Sequence, residues 1–284
     1  MSVALLPLRE AMARHVRDGM SVALEGFTHL IPFAAGHELI RQRRRGLTLI
    51  RLTPDLIYDQ MIGMGCAAAV SFSWGGNPGV GSLHRLRDAI EHAWPNAIEI
   101  DEHSHAGMAV RFSAGASGLP FGVLRGYMGT GLAEINASRV ATVTCPFTGE
   151  ELTALPAIRP DVTILHAQQA DREGNILLTG IVGVNREAAM AAETLVVTVE
   201  EVVDELDAPM NAFVIPGWQV AAVSEVAGGA YPSYALGYYQ RDNAFYLEWD
   251  AIARNRERFR AWMERHVLGT ADHADFLRSV GAVQ

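Results

Sequence analysis

Short apolar runs alternate with amphipathic stretches along most of the chain. The runs Ser21–Leu24, Leu47–Leu52, Ala69–Trp74, Ala97–Ile100, Val123–Gly126, Val140–Thr144, Val162–Ala167 and Leu195–Val199 predict strands. Apolar positions at helical spacing predict helices over Leu6–Arg17, Ala34–Arg44, Leu56–Gly65, Ser82–His92, Ser104–Ala114, Arg186–Ala192, Trp249–Val267 and Ala271–Ser279. Val162-Thr163-Ile164-Leu165 and Leu195-Val196-Val197 are near-continuous apolar and β-branched, as strands buried on both faces require. Strands alternating with helices imply βαβ units. The expected fold is therefore α/β, an open, mostly parallel sheet flanked by helices. Neither an internal repeat nor a low-complexity linker is evident, so residues 1–284 read as a single domain. Its part from about 210 onward is aromatic and reads as irregular.

Composition narrows the function. The chain has 284 residues, 49% of them hydrophobic, enough for a large core. A chain of this size buries roughly three quarters of its unfolded surface. The net charge of −9, with no basic stripe beyond Arg41–Arg45, argues against a nucleic-acid partner. The two cysteines, Cys66 and Cys145, have neither CxxC spacing nor a histidine pair beside them. No disulfide framework or metal site is expected, and a reducing cytoplasm fits. No signal peptide is evident. The apolar runs fall well short of the roughly 18 residues a membrane span needs.

Candidate chemistry lies at strand exits, where α/β sheets bind ligands. Glu25-Gly26-Phe27-Thr28-His29-Leu30-Ile31-Pro32 joins a predicted strand to a predicted helix. A glycine there lets the backbone approach a ligand, and free N–H groups at the helix start suit an anion. Phe72 to Ser82 holds four glycines and opens a helix with Ser82 as candidate N-cap. The dinucleotide fingerprint, the phosphate loop and the nucleophile elbow are missing, which disfavours a nucleotide cofactor. Ile100-Asp101-Glu102-His103-Ser104-His105 gathers two carboxylates and two histidines able to share protons. It reads equally as an acidic first helical turn capped by Ser104. Arg125, after the Gly118-Leu119-Pro120-Phe121 loop, can grip a carboxylate with both arms or form a surface ion pair. Five of the seven tyrosines lie between Tyr231 and Tyr246, which suits either an interface between subunits or a satellite core.

Several of these segments together resemble the alpha subunit of two-subunit class I CoA-transferases. They are Met20–Pro32, Leu52-Thr53-Pro54-Asp55-Leu56, Phe72–Arg87, Gly115–Phe121, Cys145–Glu150, Arg159–Ala167 and Ala170–Asn175. The resemblance covers nearly the whole chain. It is strongest to the 3-oxoadipate branch, with the glutaconate branch next. It implies a class I CoA-transferase fold and transfer of CoA from succinyl-CoA to a dicarboxylic acid through a glutamyl-CoA intermediate. CoA enters as substrate, and no cofactor is needed. In the family the nucleophilic glutamate belongs to the beta subunit, and this chain lacks the segment that carries it. The implied partner is therefore a beta subunit, and the chain alone is expected to be inactive.

By the same resemblance Gly26, Phe27, Thr28 and His29 face the acyl group. His29 would pair with the far carboxylate of a diacid, and Trp74, Gly75, Gly76 and Asn77 would line the acyl pocket. Gly118 and Arg125 are further binding candidates. Glu102 takes a supporting catalytic role, since a ring-opening CoA hydrolase of the family has a glutamate at the equivalent place. Where the family commonly has a second glycine before Gly26, this chain has Glu25. The alternatives are a CoA-thioester hydrolase or ring-cleaving enzyme on the same scaffold, one chain of a glutaconate transferase, and a non-catalytic scaffold or regulatory chain.

Overall fold

The computed structural model describes residues 3–282. In chain order its strands are β1 (Ala4–Leu5), β2 (Ser21–Leu24), β3 (Leu47–Ile50), β4 (Ala67–Phe72), β5 (Glu99–Glu102), β6 (Phe121–Leu124), β7 (Ala141–Thr144), β8 (Glu151–Pro156), β9 (Val162–Asp171), β10 (Ile176–Leu178), β11 (Thr194–Val203), β12 (Phe213–Ile215) and β13 (Val220–Glu225). The helices are α1 (Leu8–His15), α2 (Phe33–Arg41), α3 (Leu56–Gly63), α4 (His84–His92), α5 (His105–Ala116), α6 (Gly131–Ile135), α7 (Asn185–Ala191), α8 (Asn243–Ala253), α9 (Arg256–Met263) and α10 (His273–Ser279).

The main sheet runs β1-β13-β11-β9-β2-β3-β4-β5 with every neighbour parallel. β10 adds antiparallel to β9, and β12 to β10. Strand alternation divides the sheet's side chains between two helical layers. Val22, Leu24, Leu49, Val162, Ile164 and Val196 join the cluster that includes Met12, Leu39, Met61, Phe259 and Phe276. Ala23 and Ile50 point the other way, toward Met108 and Phe112 of α5 and Ala188 of α7. Thr163 Oγ1 donates to the Ala188 carbonyl on that same side. A separate antiparallel sheet, β6-β8-β7, packs beside α5.

The structure corrects the sequence reading in the last third. That part is irregular chiefly over residues 226–242: it also supplies β13, which lies between β1 and β11, and three helices. The helix expected over Trp249–Val267 breaks at Asn255, whose side chain accepts the Arg258 N–H and starts α9. Ser82 does not cap α4. Asp59 of α3 does so from across the fold, accepting the Arg85 and Leu86 N–H groups at 2.7 and 3.1 Å. Ser104 caps α5 as expected, accepting from Gly107 at 3.0 Å. Among the described residues no helix is long and apolar enough to cross a membrane.

Candidate active site

Because β2, β3, β4 and β5 are parallel neighbours, their exits share one edge of the sheet. Hydrogen bonds between the exit loops lock them together. Glu25 accepts the Leu52 N–H at 2.8 Å. The Leu52 carbonyl accepts the Ser73 N–H at 3.1 Å, and the Pro54 carbonyl accepts the Gly76 N–H at 3.0 Å. Three loops distant in sequence thus form one surface.

The first loop folds back tightly on itself. A Cβ on Gly26 would lie 2.8 to 2.9 Å from backbone atoms of His29, Leu30 and Ile31, so only glycine fits. Thr28 and Leu30 adopt left-handed conformations, with φ of 59° and 52°. That is costly for non-glycine residues and typical of ligand-binding loops. The Leu30 N–H is tied to the Tyr234 carbonyl at 3.0 Å. Among the described residues the N–H groups of Phe27, Thr28 and His29 have no partner. A run of unpaired amides in such a loop is a concavity for an anion or a developing oxyanion.

His29 is not where the resemblance implied. It is fully buried. Its Nε2 accepts the Leu236 N–H at 2.9 Å, so Nδ1 carries the hydrogen and donates to the Ile181 carbonyl at 3.2 Å. Burial lowers its pKa and favours this neutral form. With both nitrogens engaged, the ring braces the loop and has no hydrogen bond left for a diacid. Phe27 and Thr28 are half-buried at the loop's outer turn.

Beneath the loop lies a charged floor that the sequence reading overlooked. Arg51 is fully buried. Its guanidinium donates to Asp55 at 2.8 Å and to the Gly26 carbonyl at 2.5 Å. Tyr58 donates to the Ile50 carbonyl at 2.7 Å and accepts the Leu24 N–H at 3.2 Å. Burial pushes the Glu25 carboxyl up to about 7, despite the pull of Arg51 and of the Leu52 amide. The signal for this floor was an arginine at the end of an apolar run, four residues before an aspartate.

In the glycine-rich loop, Trp74 is half exposed and lies over Gly76, where a Cβ would come within 2.7 Å of the indole. Gly75 is near Leu83 and Leu86. Asn77 is buried, and its side-chain amide has no partner among the described residues. The segment entering α8 and α8 itself hold this loop and the start of α4. Arg241 donates to the Pro78 carbonyl at 3.2 Å, and Asp250 pairs with His84 at 2.7 Å.

Glu102 ends β5 opposite Phe72, next to the start of this loop. Its half-buried carboxylate has no hydrogen-bond partner among the described residues. The neighbours that could have shared its proton are committed elsewhere. Burial would raise the Asp101 pKa, but hydrogen bonds from His103, Ser71 and Arg111 hold it well below the usual carboxylate range. His103 also contacts the Tyr127 hydroxyl at 3.0 Å, and His105 is exposed.

Two candidates are not brought to the loops. Gly118 follows the end of α5, with φ +70° and Schellman-type bonds to Gly115 and Ala114. Since α5 starts at the carboxyl edge and runs about 18 Å back along the sheet, Gly118 lies toward the opposite edge. Arg125 is exposed, and its guanidinium is occupied by Glu150 at 2.7 and 2.8 Å. It forms a surface ion pair rather than a grip on substrate.

Comparison with known proteins agrees with this geometry. A model of the family described as coenzyme A transferase matches residues 7–226. The chain is 62% identical over 272 residues to the alpha chain of 3-oxoadipate CoA-transferase of Pseudomonas knackmussii, covering 96% of each. It superimposes on glutaconate coenzyme A-transferase from Acidaminococcus fermentans with a TM-score of 0.90 at 30% identity, covering 98% of this chain and 93% of that one. It also matches a crystal structure of the decarboxylase AibA/AibB with a TM-score of 0.79 at 32% identity, covering 93% of this chain and 100% of that one. The chain belongs to the coenzyme A transferase family.

Proposed function

We propose that the chain is the alpha subunit of a heteromeric CoA-transferase that moves CoA from succinyl-CoA to 3-oxoadipate. The observation that carries this reading is the 62% identity, over 96% of both chains, to the alpha chain of 3-oxoadipate CoA-transferase. In this reading a glutamate on the beta chain attacks the succinyl thioester carbonyl. The tetrahedral anion expels the CoA thiolate and leaves a mixed anhydride. The thiolate then attacks the glutamyl carbonyl, releasing succinate and leaving a glutamyl-CoA thioester. The 3-oxoadipate carboxylate reverses both steps. The thioester's energy stays in a covalent intermediate rather than being lost to water.

This chain contributes the anion-binding surface. Each tetrahedral anion needs donors held in place beforehand, and the unpaired amides of Phe27, Thr28 and His29 suit that role. Trp74 is an apolar wall for the acyl chain, and the Asn77 amide can meet a polar group of the acid. Trp74, Ile181, Leu236 and Tyr238 are exposed, and residues 181 and 236 flank the first loop through His29, which suits a covering beta subunit.

The test is CoA transfer between succinyl-CoA and 3-oxoadipate, measured for this chain alone and with its beta partner. Activity in the mixture only is expected. Full activity from the single chain would overturn the division of labour. Thioester hydrolysis without transfer would instead favour the hydrolase reading, with Glu102 the first residue to replace.

A further inference from the structure

The Gly26 carbonyl points inward. A fully buried guanidinium holds it there at 2.5 Å, and that guanidinium is itself fixed by Asp55 at 2.8 Å. The Arg51 main chain is also pinned, its N–H donating to the Ser71 carbonyl at 3.0 Å. A trans peptide is planar, so its C=O and N–H point in opposite directions. Holding the Gly26 oxygen toward the buried floor aims the Phe27 N–H away from it, to the half-buried outer side of the loop. That N–H has no partner among the described residues.

The same device recurs at the Thr28–His29 peptide. Buried Ser233 donates its hydroxyl to the Thr28 carbonyl at 2.9 Å, which turns the His29 N–H away from Ser233. That N–H is also unpaired among the described residues, although the residue is fully buried. Orphaned buried amides are rare in folded proteins unless a ligand meets them. Between the two anchored peptides lies Thr28, in the left-handed conformation that makes successive amides converge.

We infer that Arg51 and Ser233 are positioning residues: each holds a loop carbonyl from behind, and so presents the Phe27 and His29 N–H groups to the oxyanion of the tetrahedral intermediates. Neither side chain touches substrate. The buried ion pair fixes the direction of a neutral donor and contributes no charge to the pocket. This rests on the CoA-transfer reading proposed for the site.

The experiment uses the assembled complex of both chains and compares the parent with Arg51→Lys and Ser233→Ala. An ammonium reaches Asp55 or the Gly26 carbonyl, but not both with fork geometry. Loss of one oxyanion donor costs about 100- to 1000-fold in kcat. Arg51→Lys is therefore expected to lower kcat about 100-fold and Ser233→Ala about 10-fold. KM for succinyl-CoA should stay within about threefold, because the ground state gains little from these donors. Size-exclusion chromatography and thermal melts establish that each variant is assembled and folded. If Arg51→Lys fails to assemble, Ser233→Ala decides, since it removes no buried charge. Folded variants with kcat within about threefold of the parent, or with KM rising as much as kcat falls, overturn the inference. A parent complex that transfers no CoA overturns the functional reading, and this inference with it.

Discussion

Two arginine–carboxylate pairs, similar in distance but one single-armed and one two-armed, have opposite meanings in this chain. Arg51 reaches Asp55 at 2.8 Å and is fully buried between the first and second exit loops. Arg125 reaches Glu150 at 2.7 and 2.8 Å on the small sheet, with 79% of its side chain exposed. The exposed pair competes with water and salt at both ends. The buried pair has no water to replace it, so each group depends on the other and on the backbone atoms it touches. Arg125 stands out in the sequence because arginine grips carboxylates. Burial, which sequence spacing does not report, assigns the structural work to Arg51.

The sharpest way to break the contrast is Gly26→Ala, at the carbonyl that Arg51 holds. The new methyl would meet backbone atoms of residues 29–31 at 2.8 to 2.9 Å, and backbone has no rotamer with which to yield. A destabilisation of about 3 kcal/mol is expected, at the upper end for overpacking. The loop amides would shift, so turnover of the complex should fall by about 100-fold or more. Chemical denaturation and steady-state kinetics check the two parts. A variant that keeps both stability and rate would mean that the loop is loosely held.

The main architecture was legible because it rests on period and run length. Ser21–Leu24 matches β2, and β9 and β11 were found from their apolar cores, each extending further than the run suggested. β13 is not legible, because the alanines, serine and glutamate of Val220–Glu225 blur a strand pattern and the segment pairs on both sides only in the tertiary fold. β10 and β12, with three residues each, are too short to show a period. The loops of the site were legible as glycine punctuation at strand exits. The supports under them were not. Glu25, Arg51 and Asp55 read locally as polar residues flanking strands, and Ser233 is 205 positions from the carbonyl it holds. His29 stands out in the sequence for its chemistry, but its two backbone partners come from residues 181 and 236.

Acidity sharpens the contrast further. The Glu25 carboxyl is raised from 4.5 to about 7, chiefly by burial. Protonated Glu25 suits the fold and ionised Glu25 does not. Its favourable contribution is therefore complete below about pH 4.5 and is lost as pH rises through about 7. The loss amounts to about 3 kcal/mol. Glu25→Gln keeps an acceptor for the Leu52 N–H and removes the titration. Relative to the parent it should gain about 3 kcal/mol between about pH 4.5 and about pH 8 in urea-unfolding series. Parallel stability curves for the two proteins would mean that Glu25 ionises freely.

At the opposite edge, Gly118→Ala should cost stability without touching catalysis. The residue has φ +70° and no atom within 4 Å of an added Cβ, so the penalty is conformational only. About 1 kcal/mol is expected from placing an L residue in the left-handed region. Kinetic constants of the complex should remain within about twofold. A large fall in kcat would place this helix end in the site.

Arg125→Ala is expected to have the smallest effect, and it bears most directly on the two arginines. If Arg125 held the dicarboxylate, its loss would raise KM for that acid strongly and leave KM for succinyl-CoA less affected, because a two-armed grip is specific to the group it holds. The structure gives its fork to Glu150 instead, in a pair open to solvent. The expected result is no resolvable change in melting temperature and both KM values within about twofold. Glu150→Ala then adds a second arm. Freed from its partner, Arg125 remains on the exposed sheet surface, so this variant too should leave KM for the acid unchanged. If it lowered that KM, Arg125 would be able to swing to the substrate once released, and the pair would be holding the arginine away from the site. An unchanged KM in both variants leaves carboxylate recognition to the loop that Arg51 supports and to the beta chain.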